Sequence, residues 1–284
     1  NCGVILSVPI SFEVYPPREP EAAPALYEAI DRLAELSPDF ISVTFGAGGS
    51  DTSGSIDVLS YIKNQTQAVP LAHLTCVGTT EAEARSTIQQ FLDAGILDFL
   101  ALRGDLPDGQ TELAPGSLSS ASELVGVIRG VANQPGAKIA VAAFPNGHPE
   151  SGTERSDLLA LRAKQDAGAD FAITQLFFYA DDYFRFLELA QAAGVTIPII
   201  PGIMPITSAK RLARVLELTG EREPVELAAA LSQAPDAASR LEVGINWAAR
   251  VVADLVTGGA PGIHLYAFNE YKNVTEVLRR AGLV

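Results

Sequence analysis

DAGADFAITQ, Asp166–Gln175, is a helix end, a turn and a strand in ten residues. Asp-Ala-Gly closes a helix, with Gly168 where a left-handed cap residue belongs. Asp170-Phe171 then enters a short apolar run that ends in two hydrogen-bonding side chains, Thr174 and Gln175. The pattern recurs. DAGILDFLALR, Asp93–Arg103, repeats it, and SPDFISVT, Ser37–Thr44, carries the same Asp-Phe entry. These repeats fall at roughly two-unit intervals, as alternate strands of a barrel would.

Other apolar runs end in the same way. Ile10–Phe12 leads to Glu13, Leu71–Ala72 to His73 and Thr75, Ile139–Phe144 to His148, and Gly262–Leu265 to Tyr266. Helical stretches separate them: about 21–35, 53–65, from Thr79 or Thr80 onward, up to about Val131, 157–167, up to Ala193, from Ser208, and a last one to Ala281. Eight strand–helix units result. Strands separated by helices pair in parallel, so the chain is expected to form a single (β/α)8 TIM barrel over residues 1–284. Its chemistry belongs at the strand C-termini. Pro198 and Pro201 sit in the seventh strand, which is therefore expected to be short or bulged. The segment 221–236 reads as an extra helical excursion before the last strand.

Composition narrows the function. The 284 residues are 48% hydrophobic, enough for a sizeable core. With 20 basic against 34 acidic residues the net charge is −14, which disfavours nucleic acid or an anionic membrane surface as a partner. No apolar run is long enough to span a bilayer. The first ten residues lack a basic region and cleavage site and do not read as a signal peptide. Cys2 and Cys76 lie far apart, so reduced thiols in a cytoplasmic protein are expected and no metal-ligand spacing is visible. No glycine-rich dinucleotide fingerprint follows a strand, and no local Ser/His/Asp or Cys/His signature occurs.

Individual residues carry weaker signals. Glu13 stands among Phe12, Val14 and Tyr15; apolar neighbours raise a carboxyl pKa, which suits a general acid near neutral pH. A Glu paired with Arg18 or a buried Lys is the plainer reading. His73 and the Arg103–Asp105 stretch are short motifs at strand ends, and His148 sits in a turn-rich loop. Asp157 and Lys164, seven apart, share a helix face that by itself reads first as solvated.

Taken in order, SFEVYPPR, SVTFGA, HLTC, ALRGD, HPE, DLLALRAKQDAGAD, ITQLFF and PGIMPI resemble the methylenetetrahydrofolate reductase family in its compact bacterial form. The likeness runs from Ser11 to about Tyr271. It implies a TIM barrel holding FAD, with NADH or NADPH as co-substrate and a hydride relayed in a ping-pong cycle to 5,10-methylenetetrahydrofolate. It implies homo-oligomers, dimers or tetramers. Glu13 matches the family's catalytic acid and Asp105 an acidic residue that tunes flavin and folate charge. Both belong to its substrate site, together with Gln175 and Tyr266. Thr44, His73, Arg103, Gly104, Asp105, Ala143, Phe144, His148, Asp157 and Lys164 match its flavin-contacting positions. Three residues depart from the pattern: Phe144 where a Tyr is common, Ala209 where some relatives have a Phe, and Glu270 where some have an Arg. A flavin-independent reductase and a pterin-binding methyltransferase barrel are the alternatives.

Overall fold

The computed structural model describes residues 8–17, 19–45, 52–104, 113, 115–133, 135–148 and 153–284. Arg18, Asp105, the 46–50 glycine-rich loop, and Pro149 and Glu150 of the HPE motif lie outside them.

Strands and helices alternate as β1 (Ile10–Val14), α1 (Ala23–Ala34), β2 (Phe40–Val43), α2 (Thr52–Gln65), β3 (Val69–Thr75), α3 (Glu81–Asp93), β4 (Asp98–Leu102), α4 (Ala121–Val131) and β5 (Ile139–Ala143). They continue as α5 (Glu154–Asp166), β6 (Phe171–Thr174), α6 (Ala180–Ala192), β7 (Ile199–Ile200), β8 (Gly202–Ile203), α7 (Ala209–Thr219), α8 (Val225–Gln233), α9 (Ala237–Thr257), β9 (Ile263–Tyr266) and α10 (Tyr271–Arg280).

All strand pairs are parallel, in the order β7-β6-β5-β4-β3-β2-β1-β9-β8. The two ends of that order, β7 and β8, are consecutive in the chain. They are halves of one strand broken at Pro201, one half pairing β6 and the other β9, so the chain itself closes the TIM barrel. The expected short seventh strand is thus a split one. Its prolines lack donors, but their carbonyls serve the neighbours: Ala172 N–H donates to Pro198 O (2.8 Å) and His264 N–H to Pro201 O (2.9 Å).

Alternation along the strands makes two cores. Phe12, Ile41, Ala72, Phe99 and Val141 face outward against the helices in the main core. Phe40, Leu71, Leu100, Ala140 and Ile173 face inward and plug the barrel. The Asp-Phe repeat is not equivalent across these layers. Phe40 and Phe171 point inward, whereas Phe99 points outward, a one-residue shift that moves a side chain to the other face. The aspartates have a shared task in two repeats: Asp98 Oδ1 accepts from Lys138 N–H (2.9 Å) and Asp170 Oδ2 from Ile139 N–H (2.7 Å), tying down the entry of β5.

Helix starts follow their caps. Thr80 opens α3 in a capping box with Glu83. Thr153 caps α5, which begins at Glu154, a turn earlier than the expected 157. The 221–236 segment holds α8 as an excursion, and the 21-residue α9 follows it. No described helix is long and apolar enough to cross a membrane.

Candidate active site

Six of the singled-out residues line one cavity of about 270 Å³ at the C-terminal mouth of the barrel: Glu13, Thr44, His73, Phe144, Gln175 and Tyr266. Its remaining walls are Leu100, Leu102, Ala142 and Ile173, an apolar floor that the alternation of β4, β5 and β6 produces. The sequence reading missed these four; the same period of two that sorts the strands would have found them. Ala143 faces the other way and is buried in the outer core. A larger depression of about 450 Å³, lined by Tyr15, Pro17, Glu19 and Asn269 among others, holds none of the residues on which the chemistry converges.

Glu13 is 9% exposed, and its surroundings correct the sequence reading. Phe12 and Val14 point outward. Glu13 faces inward between His73 on β3, whose Nε2 is 3.4 Å from Oε2, and His264 on β9, whose Nε2 is 3.9 Å away. Burial raises the carboxyl's pKa, and the two histidines lower it further than burial raises it. Burial in turn lowers His73 against the pull of Glu13. The two shifts are coupled. The lowering from His73 depends on that ring carrying charge, which burial opposes; with His73 neutral, desolvation acts on the carboxyl with less opposition and favours its acid form.

His264 had no role in the sequence reading. In IHLY of β9 it shares a face with Tyr266, which was the available signal. Among the described residues, the Nε2 atoms of His73 and His264 are buried without a hydrogen-bond partner, and both are aimed at Glu13.

Opposite, Gln175 leaves β6 with its N–H on Ala143 O (2.7 Å), and its Oε1 accepts from Leu176 N–H (3.0 Å). That directs the amide donors away from the backbone. Tyr266 reaches across the strand break, its hydroxyl donating to Thr174 O at 2.6 Å. Burial, with the Glu13 charge adding, pushes this phenol well above its ordinary pKa. Gly202 permits the approach: a Cβ there would lie 2.5 Å from Thr174 O and 2.7 Å from the Tyr266 ring.

The expected solvated face of α5 is instead turned inward. Lys164 Nζ donates to Ala142 O (2.8 Å) beneath the cavity wall and sits 5.8 Å from the Phe144 ring centroid. Burial lowers its pKa to about 8, with Asp157 opposing. Asp157 Oδ2 accepts from His148 N–H (3.0 Å), and the His148 ring meets Phe144 edge-on at 4.6 Å. Arg103 and Gly104 do not line the cavity but turn the chain beside it. Gly104 has φ 81°, and a Cβ there would lie 3.0 Å from Thr75 Cβ. Asp105 follows directly and lies outside the described residues. Of the departures, Glu270 is engaged by Arg211 (3.3 Å) on α7, and Ala209 opens that helix, exposed.

The family model described as methylenetetrahydrofolate reductase matches residues 6–282. The chain belongs to the methylenetetrahydrofolate reductase family. The 5,10-methylenetetrahydrofolate reductases of Salmonella typhimurium and Escherichia coli are each 38% identical to it over 92% of this chain and 86% of theirs. Methylenetetrahydrofolate reductase (NADH) 1 of Arabidopsis thaliana is 32% identical over 96% of this chain and 48% of its own. Among solved structures, a Clostridium thermocellum protein that binds two copies of 5-methyl-5,6,7,8-tetrahydrofolic acid superposes at TM-score 0.65 and 17% identity, covering 97% of this chain and 94% of that one. That last likeness shows the barrel fold. The reductase activity rests on the family match.

Proposed function

We propose that this reductase converts 5,10-methylenetetrahydrofolate to 5-methyltetrahydrofolate with NADH or NADPH, through FAD, the two substrates using one cavity in turn. In this reading residues 1–284 act as one catalytic domain in the cytoplasm. The observation that carries it is the convergence of Glu13, Gln175 and Tyr266 on one apolar-floored cavity, in a chain of this family.

The residues present fit a flavin. Leu100, Leu102, Ala142 and Ile173 offer an apolar floor to a planar ring, and Thr44 and His73 stand at its rim with polar groups. His73 brings a buried Nε2 with no partner among the described residues. Lys164, with Asp157 and His148 around it, would hold the anionic part of the cofactor despite the net −14. Arg103, Gly104 and the backbone of Ala143 complete that side. FAD, when bound, supplies a ring that accepts a hydride from the nicotinamide and gives it to the folate.

The chain's own part is proton handling and orientation. Gln175 offers its amide donors to the pterin, and Tyr266, locked by Thr174, forms an aromatic wall. Glu13 gives a proton to N10 of the folate. The bond from the bridging carbon to N10 breaks, its electron pair stays on N10, and the carbon is left as an iminium on N5. The hydride then makes that carbon a methyl group. Glu13 ends as a carboxylate between two histidines and regains a proton from solvent. Asp105 would stabilise the cationic folate.

Glu13→Gln tests the assignment. Stopped-flow measurement is expected to show flavin reduction by NAD(P)H within a few-fold of wild type and folate reduction slowed by at least about a hundredfold, in the range of a lost general acid. Equal loss in both half-reactions would remove Glu13 from the proton-donor role. A colourless protein that still oxidised NADH with the folate would replace FAD by direct hydride transfer.

A further inference from the structure

His264 is fully buried, lines no part of the ligand cavity, and has no task in the chemistry above. Its surroundings are nevertheless built. The register of β1 against β9 sets Ser11 beside His264 and Glu13 beside Tyr266. Ser11, 2% exposed, places Oγ 2.9 Å from His264 Nδ1. The ring is stacked on Phe40 of β2 at 5.6 Å and meets Tyr266 edge-on at 5.2 Å, so it cannot swing away. Among the described residues, the titratable groups around it are Glu13 on β1, His73 on β3 and Tyr266 on its own strand. The neutral ones are Ser11 and Phe40.

We propose that Ser11 and His264 are positioning residues for Glu13. The serine hydroxyl fixes the imidazole tautomer so that the Nε2–H faces the Glu13 carboxyl and steadies it once its proton has gone. This rests on Glu13 being the proton donor.

Ser11 has two acceptors in reach, Ile263 O at 3.5 Å and His264 Nδ1 at 2.9 Å. Were Nδ1 the donor, the hydroxyl proton would be left with the Ile263 carbonyl at the limit of a hydrogen bond; donating to Nδ1 gives it a near-optimal acceptor, so the inferred arrangement has the hydroxyl as donor. The neutral ring then carries its proton on Nε2. At 3.9 Å from Oε2 that N–H is out of contact in the resting geometry. A small turn of the carboxyl closes the gap, and the drive to close it grows when the carboxyl becomes anionic, because charge-assisted hydrogen bonds are the stronger kind. His264 therefore favours the state after proton transfer over the state before it, which makes Glu13 a stronger acid at the moment of ring opening. His73 offers a second Nε2 from the other side at 3.4 Å, but it lines the cavity and serves the ligand as well.

The test has two readouts. In ¹⁵N-histidine NMR of the purified protein, one of the three histidines is expected to show a protonated Nε2 and a bare Nδ1, and to vanish in His264→Leu. A protonated Nδ1 on that residue overturns the proposal. In stopped-flow, His264→Leu is expected to leave flavin reduction within about twofold, to slow folate reduction roughly tenfold, and to move the alkaline limb of its pH profile up by about one unit, the size of effect of one lost charge-assisted hydrogen bond. His264→Gln, whose amide reaches the Nε2 position, is expected to restore most of the rate and the limb. An unmoved limb in folded, flavin-loaded His264→Leu overturns the proposal. If that variant does not fold, Ser11→Ala against Ser11→Thr decides: the first is expected to shift the limb, the second to keep it, and no difference between them overturns the role of the hydroxyl. Glu13→Gln separates the layers. If it retains folate reduction, the proton-donor reading and this inference both fall. If it loses folate reduction while the His264→Leu profile stays put, only this inference falls.

Discussion

Lys164 carries an ammonium into a place where burial makes the charge costly, and its pKa falls from 10.5 to about 8. Between those two values the folded chain binds fewer protons than the unfolded one, so stability rises with pH across that window. Below about pH 8 both states are charged and the cost of burial stands in full. A bound anion offsets that cost, so flavin retention is expected to weaken as pH rises through about 8. In Lys164→Met, retention should be poor at all pH values and the step near pH 8 absent. Free flavin fluorescence after dilution at pH 7 and pH 9 measures this; a wild-type curve without a step would detach Lys164 from the cofactor. The residue also shows where sequence reading stops. Asp157 and Lys164 were legible as one helix face, but a helix has no inside until it packs. The contact with Ala142 O turned the face towards the barrel and left it half-buried.

At the scale of elements, the broken strand β7–β8 is the weak point that the fold turns to use. Pro201 interrupts the ladder, and the gap is spanned by side chains: Gly202 N–H donates to Thr174 Oγ1 at 2.9 Å, and Tyr266 reaches Thr174 O. Gly202→Ala would force a methyl group against a backbone carbonyl and the Tyr266 ring. It is expected to cost about 2–3 kcal/mol, as overpacking at an unyielding site does, and to slow folate reduction by displacing Tyr266. Chemical denaturation checks the first part, and an unchanged midpoint would mean that the split strand slides freely. The prolines made this strand suspect in the sequence. That its two halves close the barrel could not be read there, because closure depends on β6 and β9 lying on either side.

For the whole molecule, a net charge of −14 sets a repulsive long-range field for anionic substrates, against which a local cation must work. Screening weakens long-range repulsion first. The association rate of NAD(P)H is therefore expected to rise, by roughly twofold or more, between about 10 mM and 150 mM salt, near the range where the Debye length shrinks from about 30 Å to 8 Å. A falling rate in stopped-flow would show that the positive pocket dominates even at a distance.

The order of elements, their parallel pairing and the location of polar groups at strand ends were determined by the sequence alone, because periodicity and punctuation are local properties of a chain. Periodicity did not single out a site; the family resemblance implied one, through Glu13 in SFEVYPPR and Gln175 in ITQLFF, with Tyr266 matched outside the quoted motifs. The facing of Ala142 rather than Ala143, the outward turn of Phe99, and the two histidines bracketing Glu13 were decided by tertiary structure. His73 and His264 are 191 positions apart, on β3 and β9; only the sheet order β3-β2-β1-β9, with the inward faces curved towards one another, brings both to one carboxyl. Side-chain charge follows from such neighbours. The protonation of Glu13 is therefore a property of the folded barrel, although its identity is written in the sequence.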